Sequence, residues 1–180
     1  MDLRGHTVHP TDVLSQEHRR IEQMMDALEE QIHQTGAGGP FPRQFFDNAL
    51  DFFRHFADGC HHAKEENLLF PRMQERGVPS GGGAIGVMLA EHDQGRAYLK
   101  AVRENLDAAE QGSLEARRLV SGNALGYVSL LRQHIMKEDN ILFRMAKMVL
   151  QPDDVAELSR EFAAVEVPAR FQQDRQGLGS

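Results

Sequence analysis

His61-His62-Ala63-Lys64-Glu65-Glu66-Asn67-Leu68-Leu69-Phe70 returns, nearly copied, 73 residues later as His134-Ile135-Met136-Lys137-Glu138-Asp139-Asn140-Ile141-Leu142-Phe143. In each copy a histidine is followed four residues later by a carboxylate, and then by an apolar run. On an α-helix, residues four apart stand about 40° apart on one face, so each pair can reach a single point. Imidazole nitrogen together with carboxylate oxygen is the ligand mix suited to iron or manganese. The doubled pair therefore predicts helices that carry a metal.

The flanking sequence agrees. Alternating β-branched runs are missing, and the long segments carry apolar residues at helical spacing. A first helix is expected over about residues 12–34, opened by Thr11 or Asp12 and closed by Gly36-Ala37-Gly38-Gly39-Pro40. A second should run from near Pro42 past Phe70-Pro71 to about Arg76, before the flexible connection from Val78 to Gly83. The third spans about 84–111, with a break at Gly112-Ser113, and the fourth about 114–150. Pro152 then starts a short fifth helix in its first turn. The expected fold is all-α: an antiparallel up-down four-helix bundle over 12–150, an N-terminal arm over 1–11, and a short extra C-terminal helix with a fraying tail over 151–180.

Composition narrows the function classes. At 180 residues the chain is long enough for one domain with a substantial core. A formal net charge of -7 with no basic stripe argues against a nucleic-acid partner. The single cysteine, Cys60, excludes an internal disulfide framework. Neither a membrane span nor a signal-peptide core is visible, so a cytoplasmic protein is expected.

Helix faces sort the nine histidines. At 100° per residue, His18 falls within about 60° of Leu14, Ile21, Met25 and Ile32. His92 shares a face with Ile85, Met88, Leu89, Leu99 and Leu106, and His134 and Glu138 align with Tyr127, Leu130, Ile141 and Met145. A buried carboxylate without a partner costs several kcal/mol, so Glu138 needs a cation or a strong donor. Asp139, about 140° from His134, is the weaker ligand candidate. The internal copy selects His61 with Glu65 by position. A regular second helix, however, would hold His61 about 140° from its Phe45, Ala49, Phe52, Phe56 stripe. An irregularity between Phe56 and His61, for which Gly59 offers a place, is therefore predicted.

Other residues have blander readings. A lone inward histidine is more often a hydrogen-bonded core residue than a ligand, and only the constellation lifts His18 and His92 above that. His62 reads either way beside His61, and Glu66 reads as an acid behind a ligand or at the surface. His33 and His55 read as surface residues, and His6 and His9 as parts of a mobile arm. Cys60 reads as a small buried thiol. Tyr127 reads as packing, with a hydrogen bond to a ligand or phenol redox chemistry as alternatives. The set Met24, Met25, Met73, Met88, Met136, Met145 and Met148 reads as core filling. The glycine-rich turns lack the pattern of a phosphate loop.

The chain resembles a hemerythrin-like, or HHE cation-binding, domain. Glu17-His18-Arg19-Arg20-Ile21 is similar to the family's first-helix segment, and His61 to Glu66 with Leu69-Phe70-Pro71 to its second. Ile85-Gly86-Val87-Met88 with Glu91-His92-Asp93 is similar to the third, and His134 to Asp139 to the fourth. The resemblance implies two non-haem iron ions with an oxo or hydroxo bridge. His18, His61, His92 and His134 would be terminal ligands, and Glu65 and Glu138 would bridge. Oxygen-carrying members have two histidines four apart on the third helix, whereas here His92 is followed by Arg96. Their fourth-helix acid comes five residues after histidine, whereas Glu138 comes four after. A fifth histidine must come from elsewhere, and His62 is the candidate. The pattern is closer to bacterial proteins associated with nitric oxide stress and repair of iron–sulfur centres. The cysteine-bearing N-terminal domain often attached to those has no counterpart in these 180 residues.

The expected function is binding or reduction of O2, peroxide or nitric oxide in redox or nitrosative stress, with an electron donor as a further partner. The alternatives are an iron- or oxygen-responsive interaction module without turnover, and reversible O2 storage. Sequence leaves open whether the chain is an enzyme.

Overall fold

Pro10 begins the first helix, where its missing N–H is not needed. The computed structural model describes residues 8–35 and 39–172, and every regular element among them is helical. Helix α1 is Pro10–Thr35 and buries Leu14, His18, Ile21, Met25, Leu28 and Ile32, the stripe expected from three- and four-residue spacing. His9 receives a hydrogen bond on its carbonyl from Asp12, and its ring lies 2.8 Å from the Thr11 hydroxyl. It thus belongs to the helix start rather than to a mobile arm. His6, the turn at Gly36 to Gly38 and the tail after Gln172 lie outside the described residues.

Helix α2 occupies residues 43–75 but is not regular. It opens as an α-helix over Arg43–Phe52, widens to i→i+5 hydrogen bonding over Phe53–His62 and again over Glu65–Leu69, and closes as an α-helix over Phe70–Glu75. The expected irregularity between Phe56 and His61 is present. Gly77, at φ 92°, ends the helix, with Val78 N–H donating to the Met73 carbonyl in a Schellman arrangement.

Helix α3 is Ala84–Glu110. Gly112, at φ 96°, turns the chain, and Ser113 accepts from Ala116 N–H at 3.2 Å to cap the next helix. Helix α4 occupies 114–149, with a wide-turned stretch at Glu138–Leu142 that residue spacing does not announce. That stretch rotates the following face, so Leu142 is buried and Ile141 is 55% exposed, against the alignment of Ile141 with His134. Helix α5, Pro152–Ala164, is opened by a capping box of Gln151 and Asp154. Arg72 and Arg76 of α2 both donate to the Asp154 carboxylate.

The core is split in two. One apolar cluster gathers Ile21 to Ile32 of α1, Phe46 to Ala57 of α2, Val102 to Ala109 of α3 and Ala116 to Ile135 of α4. The other gathers Leu14, then Leu69 to Met73, Ile85 and Met88, and Leu142 to Ala146, closed by Leu158 and Phe162 of α5. Along α1 and α3 the chain passes from the second cluster to the first, and along α2 and α4 it passes back. On each helix the predicted ligands lie between the clusters or, for His134 beside Ile135, at the edge of one. Met25, Met73 and Met88 do fill core volume, but Met136 and Met148 are 57% and 84% exposed. No helix among the described residues is long and apolar enough to cross a membrane.

Candidate metal centre

Seven buried polar side chains fill the level between the two apolar clusters: His18 from α1, His61, His62 and Glu65 from α2, His92 from α3, and His134 and Glu138 from α4. The wide turns of α2 turn His61, His62 and Glu65 to the same interior, which a regular helix does not do for adjacent histidines. The seven form two overlapping groups, each with one donor atom per residue inside a 4.8 Å span: His18, His61, Glu65 and Glu138, and His62, Glu65, His92 and His134. Glu65 belongs to both; its oxygens lie 3.4 Å from His61 Nε2 and 3.5 Å from His92 Nε2. Glu138 Oε2 spans the other diagonal, 3.1 Å from His18 Nε2 and 3.3 Å from His134 Nε2.

Every one of the five imidazoles turns Nδ1 outward onto a carboxylate. The partners are Asp139 for His18 (3.0 Å), Glu17 for His61 (3.1 Å), Asp58 for His62 (3.3 Å), Glu66 for His92 (2.7 Å) and Glu91 for His134 (2.9 Å). A carboxylate on Nδ1 keeps a proton there and presents the Nε2 lone pair to the interior, as histidine–metal sites require. Each outer acid is in turn held by a cation. Lys64 donates to Glu17 and Lys137 to Glu91. Arg96 reaches Asp58 and Glu66, and Arg19 reaches Asp139. Five outer acids share four cations, which leaves the two inner glutamates without a cation of their own.

That remainder is the test of fit. His62 Nε2, both Glu65 oxygens and Glu138 Oε1 are buried with no hydrogen-bond partner. His92 Nε2 and His134 Nε2 face each other at 3.1 Å. Four orphaned polar atoms in one layer cost several kcal/mol if nothing else meets them. In the chain by itself, protons take up part of the balance. Burial opposes charge at His18, but Asp139 and Glu138 raise it to about 9. Burial likewise opposes charge at His134, yet Glu138 and Glu91 raise its pKa. Burial, then repulsion by Glu138, pushes the Glu65 carboxyl far above its ordinary range. Glu138 resists its own burial because His134 and His18 hold it well below that range. Burial keeps His61 neutral, at about 4, and lowers His62 and His92 too. Nitrogen and oxygen donors converge, are short of positive charge and exclude water. They fit cations.

The sequence matches the Hemerythrin HHE cation binding domain over residues 9–146. The chain belongs to this family. Among curated proteins, this hemerythrin-family chain is 21% identical over 153 residues to an uncharacterized protein of Mycobacterium tuberculosis (strain ATCC 25618 / H37Rv), covering 85% of this chain and 59% of that protein. An uncharacterized protein of Mycobacterium bovis matches to the same extent. The chain thus spans about three fifths of the length of these relatives. It is also 35% identical over 89 residues to the iron-sulfur cluster repair protein YtfE of Yersinia pseudotuberculosis, covering 48% of this chain and 40% of that one.

In this hemerythrin-family site, all seven sequence-predicted residues lie in the buried layer. Glu66 and Asp139 do not reach the interior; both sit behind histidines. Glu17, Glu91, Lys64, Asp58 and Arg96 carry equal weight in the geometry, though the spacing of the inner ligands does not select them. A signal for two of them is present, because a glutamate immediately precedes both His18 and His92. Cys60 is a buried thiol near the carbonyls of His55 and Glu166. Tyr127 packs edge-on against Phe53, with ring centroids 4.8 Å apart, and burial raises its hydroxyl pKa. No hydrogen bond reaches that hydroxyl among the described residues. His33 is exposed, and His55 is partly exposed beside Asp51.

Proposed function

We propose that this chain is a di-iron protein that binds or reduces a small ligand, O2, peroxide or nitric oxide, in redox or nitrosative stress. The observation that carries the reading is the convergence of five Nε2 atoms and two inner carboxylates, four of whose atoms are otherwise orphaned. His18 and His61 would hold one iron, and His62, His92 and His134 the other. Glu65 and Glu138 would bridge them beside an oxo or hydroxo group. The reversed order in which successive helices pass the two core clusters supports an antiparallel up-down bundle over 12–150 as the frame. Similarity to a protein named for iron–sulfur cluster repair supports the stress-related setting.

Bound iron supplies reversible electron transfer and a coordination position for the small ligand. The chain's own residues do the rest. The outer acids hold each Nδ1 proton, fix each ring and make Nε2 a better donor. Two glutamates bring two negative charges to the layer, which offsets part of the charge of two cations. Phe143 stacks on His18 at 5.4 Å and Phe70 on His92 at 6.2 Å, closing the layer to bulk water on one side. Beside His62, His92 and His134, a cavity of about 10 Å³ walled by Gly95, Leu99 and Leu130 is close to the size of one water. A space of that size is too small for an organic substrate.

The test is metal content with the visible spectrum, before and after air reaches the reduced protein. About two irons per chain and near-ultraviolet bands that appear on oxidation are expected. One zinc, or no metal in protein expressed with ample iron, overturns the reading. Turnover of peroxide or nitric oxide then separates an enzyme from a module that senses or stores.

A further inference from the structure

A second recess opens on the outer side of the wall that holds His62. It is a cleft of about 200 Å³ between α2 and α3, with Leu50 and Leu99 as its apolar sides. Four cationic side chains, Arg54, Arg96, Lys100 and Arg103, line it, and one carboxylate, Asp58, reaches in. In a chain of net charge -7, that local excess is out of character. Apart from Arg96, the cations are also poorly matched at home. Arg96 is engaged by Asp58, Glu66 and Asp93, and Asp58 is shared with His62. Lys100 meets Glu104 only at 3.8 Å. Arg54 and Arg103 form no ion pair among the described residues.

We propose that this cleft binds a small organic carboxylate, with its hydrocarbon body between Leu50 and Leu99 and its charge on Arg54 and Arg103. Guanidinium groups present paired donors that match a carboxylate, and an anion relieves the mutual repulsion of the cationic rim. The cleft holds several waters and is open to solvent on one side, which gives room for a compact acid. Apolar walls with cations at the rim are the arrangement in which a ligand gains from both burial and charge. Bare phosphate, which has no apolar body, uses only half of it. Asp58 and Arg96 are shared with the metal centre, but the groups that would hold the ligand, Arg54, Leu50, Leu99 and Arg103, are neither inner ligands nor outer acids, so the proposal is tested apart from the di-iron reading.

The test is calorimetric titration of the full chain with benzoate, alongside benzyl alcohol and inorganic phosphate. Saturable one-to-one binding of benzoate is expected, with weaker binding of both controls. The Arg54→Ala/Arg103→Ala double variant should bind benzoate at least roughly tenfold more weakly, and Arg118→Ala, outside the cleft, should bind as the parent does. Lys100→Glu, at a side chain 75% exposed, reverses one rim charge without touching the core and should also weaken binding. Absence of saturation, or benzoate affinity unchanged in both the double variant and Lys100→Glu, overturns the proposal. Phosphate binding as tight as benzoate overturns the carboxylate assignment.

Discussion

The Glu66 carboxylate of α2 lies 2.7 Å from Nδ1 of His92 on α3. Its counterpart in the internal copy, Asp139 of α4, lies 3.0 Å from Nδ1 of His18 on α1. The acid that follows each inner glutamate therefore crosses over to hold a histidine of the other half. Glu17 and Glu91 stay at home and hold His61 and His134. The two halves are thus locked through their outer acids as well as through the inner layer. Glu66→Ala and Asp139→Ala should each lower metal affinity about 10- to 100-fold with the fold retained. Chelator competition reads the affinity, and circular dichroism checks the fold.

His62 has no partner in the copy, where Ile135 stands in its place. It makes one group of donors richer in histidine than the other. His62→Ala should reduce metal content toward about one ion per chain, whereas Glu65→Ala, which removes the side chain common to both groups, should remove most of both. Equal, full loading of His62→Ala by mass spectrometry of the digested protein would show that His62 is only a buried neighbour.

Lys64 is 3% exposed, and its partner is Glu17. Glu17→Ala leaves that ammonium buried and unpaired, at a cost of about 3 kcal/mol or more. Lys137, which makes the matching bond to Glu91, has a side chain 30% exposed and can return to water. Glu91→Ala should therefore cost clearly less. Urea unfolding of the metal-free proteins measures both, and equal costs would contradict the difference in burial.

The metal-free chain should also respond to pH through His18. Its folded pKa of about 9 lies above the ordinary value of 6.5. A raised folded pKa means that the stabilisation is complete below 6.5 and is lost as pH rises through about 9. Thermal stability of metal-free protein should fall across that window, and His18→Gln should flatten part of the fall. Metal uptake at neutral pH should release a proton from the same ring, detectable in weakly buffered solution. An identical pH slope in His18→Gln would remove His18 as the source.

Residue spacing makes much of this legible. The four long helices and the fifth follow from apolar periodicity and from Pro10, Gly77, Gly112 and Pro152, since these act locally on the backbone. His18, His92 and His134 stand on faces that a regular helix predicts. His61 contradicts its own face, and the contradiction locates the wide turns of α2. The corresponding stretch at Glu138–Leu142 leaves no such trace, because His134 precedes it, Glu138 opens it, and Ile141, near its end, already lies on the other side. The outer acids are harder to see. Arg96 joins Asp58 to Glu66, and Glu66 to His92, across helix pairs that sequence spacing does not relate.

The wide turns of α2 set stability and function against each other. A regular α-helix is the better-bonded backbone, and removing a residue between Phe53 and His62 would tighten the winding toward one. That deletion would rotate the downstream turns relative to the upstream ones by about 100° and carry the adjacent histidines and Glu65 away from their partners on the other helices. Selection for a sturdier helix here runs directly against selection for the site, so the looser winding is the form in which this segment is useful.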